Sequence, residues 1–253
     1  MRVDIRRRLR KFVPHLLKAQ EENLNEADTC QRLVKFFEEI LDYDALTEIT
    51  REQQVKGKYV DFAIKIDGTT RFLVEAKAAG TVLRDRHIEQ AERYASEANI
   101  RWVLLTNGVA WALYHLSFEE GIEYEKAFAV DLSNDPNEKA AEVLALLHRK
   151  AVKGGALDEY WTTRVTLRPA SIGKALMTED VLRFLRREIR KQGGLLVDIE
   201  DLANSIHEMF TPEAREEIGP VRLRRKRRAV RKEKSRGDTV PCESMGEPGQ
   251  GDI

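Results

Sequence analysis

The run Val60-Asp61-Phe62-Ala63-Ile64-Lys65-Ile66 is apolar at every second position. A two-residue break, Asp67-Gly68, and a short spacer separate it from a second run, Phe72-Leu73-Val74-Glu75-Ala76-Lys77. Period-two alternation on either side of Asp-Gly is the pattern of two antiparallel strands joined by a tight turn. It constrains the chain more than any other feature, because a strand pair fixes which side chains face one another. One face of the first strand carries Val60, Phe62, Ile64 and Ile66, and the other carries Tyr59, Asp61, Ala63 and Lys65. If Val60, Phe62 and Ile64 pair with Ala76, Val74 and Phe72 on the core side, Asp61 lies across from Glu75. Lys77 then follows one pleat further on.

Cross-strand ion pairs on a solvated face would explain the same three residues. The flanks argue otherwise. Glu75 and Lys77 interrupt a strand that is otherwise fit for burial, and charge there is costly unless paired or metal-bound. Ala76, Ala78 and Ala79 are small and leave room for an approaching group. Two carboxylates and an ammonium at the end of a hairpin are the groups of a divalent-metal site with a lysine beside it.

Around the hairpin the pattern predicts two N-terminal helices. In the second, Ala27, Cys30, Leu33, Val34, Phe37, Ile40 and Leu41 form a 3.6-period stripe. Glu26 is in line with Cys30, Leu33 and Phe37, and Glu22 lies one turn earlier on the same line. Strands are expected at about 45–50, 58–66 and 71–79, a helix at 84–98, strands at 101–106, 110–116 and 125–131, and a helix near 137–152. Gly154-Gly155 marks a boundary. Beyond it Thr178-Glu179-Asp180 opens one helix and Asp198 another, with Gly193-Gly194 between them.

An acid on the first strand of a hairpin and Glu-x-Lys on the second resembles the PD-(D/E)xK nuclease core. His87-Ile88-Glu89-Gln90-Ala91-Glu92-Arg93-Tyr94 is similar to the Gln-x-x-x-Tyr signature of RecB-like nucleases and type I restriction-enzyme R subunits. Trp102 to Gly108, with its Thr106-Asn107-Gly108 turn, and Trp111-Ala112-Leu113-Tyr114 resemble the strands that close that domain. The resemblance runs over about residues 20 to 135. It implies an α/β fold, a central mixed sheet flanked by helices. It also implies a DNA endonuclease of restriction or defence type that uses Mg²⁺ or Mn²⁺. The implied metal ligands are Asp61, Glu75, the carbonyl of Ala76 and Glu26, with Glu26 preferred to Glu22. Lys77 would orient or help deprotonate the attacking water, and Gln90 and Tyr94 would border the site. Trp111 and Tyr114 are expected in the core.

Phosphodiester hydrolysis suits such a site. A bound divalent ion polarises the phosphoryl oxygen and lowers the pKa of a bound water, and Mg²⁺ needs only one or two carboxylates because it keeps several waters.

The expected organisation is a nuclease domain over 1–153, a helical accessory region over 156–219 and a basic tail over 220–253, expected to be disordered. The chain is formally neutral, but residues 1–219 carry 33 basic and 38 acidic side chains, so positive charge is concentrated at the C-terminal end. Arg224, Arg225, Lys226, Arg227 and Arg228 form a run suited to neutralising phosphates without reading sequence, and equally suited to a solvated tail. The two cysteines form no disulfide or zinc pattern, and no apolar run approaches a membrane span. The basic segment Arg2 to Gln20 is too charged for a signal peptide. It fits a helix docked on the domain better than a transit peptide, and the cytoplasm is expected. No Gly-x-x-x-x-Gly-Lys-Ser/Thr loop is present, so the chain is expected to hydrolyse without translocating, with DNA as partner and restriction-modification or motor subunits as further ones. One site cutting two strands implies a homodimer or two encounters. Two other readings stay open: a non-catalytic nucleic-acid-binding scaffold, and a nuclease of DNA repair or recombination.

Overall fold

The computed structural model describes residues 2–55, 58–119, 121–133 and 138–220, without the side chains of residues 2, 3, 52–55, 58, 59 and 90. The Arg224–Arg228 run, Cys242 and nearly all of the expected tail lie outside the described residues. The chain divides into two compact units, residues 1–172 and the part beginning at Gly173.

The first unit opens with helices α1 (Arg2–Glu21) and α2 (Glu26–Glu39). Strands β1 (Ile49–Val55), β2 (Lys58–Ile66) and β3 (Thr69–Ala76) follow. A 3-10 turn at Asp85–Ile88 leads into α3 (Glu89–Ala98). Strands β4 (Trp102–Thr106), β5 (Ala110–Ser117) and β6 (Glu123–Asp131) complete one six-stranded sheet in sequence order. β3 and β4 are parallel, with α3 as their crossover, and every other neighbouring pair is antiparallel. Three short helices, α4 (Glu138–Leu144), α5 (Arg149–Lys153) and α6 (Ala156–Thr166), close the unit. The expected α/β class, a mixed sheet flanked by helices, is what forms.

Both faces of the sheet are covered. Ile5, Leu9 and Leu16 of α1 and Leu33, Phe36 and Phe37 of α2 pack on Phe62, Ile64, Phe72, Val74, Trp111 and Leu113. Ala91, Tyr94 and Ala95 of α3 pack on Ala63, Leu73, Val103, Leu105 and Tyr114 on the other side. A solvated face is therefore excluded, and charge on either side of β3 must be accommodated in a packed layer.

The hairpin has the expected register: Phe62 pairs with Val74 and Ile64 with Phe72. Asp67 and Gly68 both take positive φ, 51° and 75°, which matches the right-handed twist of the flanking strands. Val60 departs from the expectation. It lies past the last β2–β3 pair and joins the α3-side cluster rather than the side that holds Phe62.

Two other expected boundaries move for local reasons. The first strand begins at Ile49 because the Asp44 carboxylate accepts from the backbone N–H of Leu46 (2.8 Å) and Thr47 (3.3 Å), curling 45–48 into a turn. The expected helix over 137–152 is broken at His148, whose backbone is extended (ψ 138°). Its ring, nearly fully buried, meets Asp42 at 2.9 Å. Burial holds the His148 pKa below its ordinary value, although Asp42 works in the opposite direction.

From Gly173 on, the second unit contains the second half of α7 (Pro169–Leu176), then α8 (Glu179–Gly193), α9 (Ile199–Glu208) and α10 (Pro212–Ile218). Leu182 and Leu185 of α8 pack with Leu202, Ala203 and Ile206 of α9 and with Phe210. Asp198 caps α9 by accepting from Glu200 N–H at 2.8 Å.

Candidate active site

The site is built where the β2–β3 ladder ends. Beyond Phe62–Val74 the backbone N–H of Ala76 has no strand partner on that side, and Asp61 Oδ2 accepts from it at 2.7 Å. The other edge of β3 continues against β4, where Lys77 N–H donates to Thr106 O at 2.9 Å. Asp61 is thereby held beside the Glu-x-Lys segment by the backbone geometry itself.

Glu75 shares the α3-side orientation of Leu73 and is 5% exposed. Lys77 Nζ donates to Glu75 Oε1 at 2.5 Å and lies 3.8 Å from Glu26 Oε2. Glu26 is the first residue of α2, whose N-cap Asn25 accepts from Asp28 N–H at 2.9 Å. That cap stops the helix short of Glu22, which pairs instead with Lys18 at 3.7 Å. The expected common line through Glu22 and Glu26 therefore does not exist, and Glu26 is the acid beside Lys77.

Glu75 and Glu26 both contact the Lys77 ammonium, and Asp61 stands near enough to act on both Glu75 and Lys77. Burial, with Asp61 and Glu26 adding repulsion, pushes the Glu75 pKa up to about 7 against the opposing pull of Lys77. Burial works against the charge of Lys77, but Glu75, Glu26 and Asp61 outweigh it and its pKa is raised. Cys30, one turn along α2 from Glu26, has its thiol pushed up to about 12 by burial and then by Asp61.

Tyr94 is 3% exposed and sits in the hydrophobic layer that also holds Leu73 of the Glu-x-Lys strand. Its ring serves packing there and offers no open face to DNA. Gln90 lies one turn earlier on α3, with its side chain outside the described residues. Trp111 and Tyr114 are core residues, as expected. Trp111 Nε1 donates to Gly108 O at 2.8 Å, and the Tyr114 hydroxyl donates to Asp85 at 2.7 Å.

One supporting feature was not anticipated. The segment after Lys77 is clamped by its own chain: Ala79 N–H donates to Leu24 O at 3.0 Å, and Asn107 Nδ2 to Thr81 O at 2.8 Å. A Cβ on Gly80 would stand 2.1 Å from Asn23 Oδ1, so a larger residue there would displace the Asn23 side chain in the α1–α2 turn. The small residues after Glu75 thus make room at least in part for this turn. Asn107 also accepts from Val109 and Ala110 N–H at 3.0 and 2.7 Å, so the Thr-Asn-Gly turn is a strut as well as a reversal. A polar residue before Gly108 signalled the turn; its tie to Thr81 had no signal in the sequence.

The donors brought together are all oxygens, of the hard type that suits Mg²⁺ or Mn²⁺. Among the described residues, no group of three or more His, Cys, Asp or Glu side chains is arranged to hold a metal ion. Excess negative charge around a buried, proton-retaining glutamate is nonetheless what a divalent cation would relieve, so the residues fit the ion with water and backbone oxygen completing its shell.

A six-stranded mixed sheet with helices on both faces and an acid–Glu-x-Lys cluster at a hairpin end defines a restriction-endonuclease-like core. Residues 25–127 match the family described as type I restriction enzyme R protein N terminus (HSDR_N). The match spans α2 through most of β6 and includes every residue of the cluster. No curated protein and no solved structure is significantly similar to the chain. Among the described residues no helix is long and apolar enough to cross a membrane.

Proposed function

We propose that the chain is a divalent-metal-dependent DNA endonuclease of the type I restriction or defence kind, using Mg²⁺ or Mn²⁺. The observation that carries this is Glu75, buried beside two further carboxylates and hydrogen-bonded to Lys77, which also lies 3.8 Å from Glu26. Asp61, Glu75 and the carbonyl of Ala76 would hold the ion, with Glu26 reaching it directly or through water. When bound, the ion would polarise the scissile phosphate and supply a water of lowered pKa. Asp61, tied to Ala76 N–H, keeps its carboxylate fixed at the cluster rather than in solvent. Glu75, whose carboxyl pKa is held up to about 7 by burial, would bind the ion in its ionised form. Lys77, held as an ammonium, orients the attacking water and offsets charge on the phosphate rather than acting as a free base. Tyr94 packs α3 against the Glu-x-Lys strand, and Gln90 would border the site as the family resemblance implies. Arg224, Arg225, Lys226, Arg227 and Arg228 would add sequence-independent phosphate contacts.

The test is a Mg²⁺ titration of purified protein on supercoiled and linear DNA, wild type beside Lys77→Ala. Metal-dependent nicking of the circle by wild type, lost in the variant, is expected. Cleavage by the variant at the wild-type rate overturns the site. Cleavage confined to linear DNA would move the substrate to free ends, as in repair or recombination. Metal-independent DNA binding with no cleavage would leave a non-catalytic binding protein.

A further inference from the structure

The second unit carries a surface with no role in that chemistry. On α8, Arg183, Arg186, Arg187 and Arg190 recur at steps of three, one and three. At about 100° per residue they fall within an arc of about 100°, while Leu182 and Leu185 lie beyond one edge of that arc and pack into the helical core. The four guanidiniums line an open groove of about 800 Å³ together with Leu196 and one carboxylate, Asp180.

The helix is built to keep these side chains outward. Arg186 Nε donates to Val197 O at 2.8 Å, tying the loop after α8 to the stripe. Arg183 pairs with Glu179 one turn earlier. Among the described residues neither Arg187 nor Arg190 has a carboxylate within ion-pair distance, and both are exposed. Arg187 lies 5.9 Å from the ring centre of the exposed Phe184, which supports the guanidinium from the side. Like charges at helical spacing repel, so the stripe lowers the stability of isolated α8 unless an anion is shared among them.

We infer that this face of α8 docks on the sugar-phosphate backbone of duplex DNA. Seven residues of helix rise about 10 Å, which spans about three phosphates of one strand. Arginine forks match phosphate oxygens two at a time, and one acid among four arginines leaves the groove strongly cationic. The inference takes DNA as the ligand from the proposed function, but it concerns affinity and needs neither metal nor cleavage.

The test is fluorescence anisotropy of the full chain with a short labelled duplex in EDTA across a salt series. Wild type is compared with the triple variant Arg183→Ala, Arg187→Ala, Arg190→Ala; Arg186 is kept because it ties the loop, and alanine favours helix. Circular dichroism checks that the variant is folded. The expected result is at least about a tenfold loss of affinity near physiological salt, with the slope of log K against log salt shallower by up to about 0.9 per arginine removed. Affinity and slope within twofold of wild type would overturn the inference, whether or not Lys77→Ala abolishes cleavage. Preference of wild type for an acidic polypeptide over the duplex, lost in the variant, would overturn it in favour of a protein partner. Loss of cleavage in Lys77→Ala with DNA binding unchanged would leave it standing.

Discussion

Two buried glutamates of the first unit are handled in opposite ways. Glu48 is matched one to one: Arg149 Nε lies 2.7 Å from both its oxygens, and Asp44 N–H donates to it at 3.1 Å. Glu75 shares one lysine with Glu26, while Asp61 adds repulsion, and its pKa rises to about 7. The Glu48 cluster is electrically closed and ties the turn before β1 to the start of α5. In the Glu75 cluster one lysine is shared between two carboxylates at the end of a strand. A closed pair holds a fold together; a shared lysine leaves a demand for a cation.

The sharpest way to break the contrast is to remove one member from each. Glu75→Ala or Lys77→Ala should lower the cleavage rate by about 1,000-fold or more, since the ion and its lysine supply several kcal/mol of transition-state stabilisation. Circular dichroism should remain that of wild type. Arg149→Ala should do the reverse, lowering the melting temperature by several degrees while cleavage per folded molecule is unchanged. Equal loss of cleavage in both would dissolve the distinction.

Smaller effects sharpen it. Metal binding requires Glu75 ionised, so below about pH 7 the apparent affinity should fall by about tenfold per pH unit, read by calorimetry between pH 5.5 and 8. The metal-free protein should show the complementary trend. A carboxyl whose folded pKa is raised binds its proton more tightly when folded. Its contribution to stability is therefore present at low pH and lost as pH rises through about 7. Wild-type melting temperature without metal should decline from about pH 5 to 7 and level off above, and Glu75→Gln should flatten that decline. The smallest effect separates two acids: Glu26→Gln should slow cleavage by about tenfold, less than loss of Glu75 because half of its side chain is exposed, and Glu22→Gln should leave it unchanged.

Much of this was legible in the residues, because period-two alternation and an Asp-Gly turn fix a register. Phe62 opposite Val74 places Asp61 near Glu75 without any further information. What escaped depends on side chains that cap nearby backbone and on one pair of side chains far apart in sequence. The Asp44 turn delays β1, His148 breaks a helix to meet Asp42, and Asn25 caps α2 so that Glu22 falls outside it. Asn25 followed three residues later by Asp28 was a readable cap signal; the His148–Asp42 contact, 106 residues apart, was not. The arginine stripe of α8 was likewise visible in its spacing, but only the fold shows the groove beside it.

The central claim is that the Glu75 cluster, and not the Glu48 cluster, takes up a divalent cation. Isothermal titration of Mn²⁺ into wild type, Glu75→Gln and Glu48→Gln at pH 8 tests it most directly. Saturable binding by wild type, weakened at least about tenfold in Glu75→Gln and retained in folded Glu48→Gln, is the predicted result. Wild-type affinity in Glu75→Gln, or no saturable binding by wild type, would contradict it.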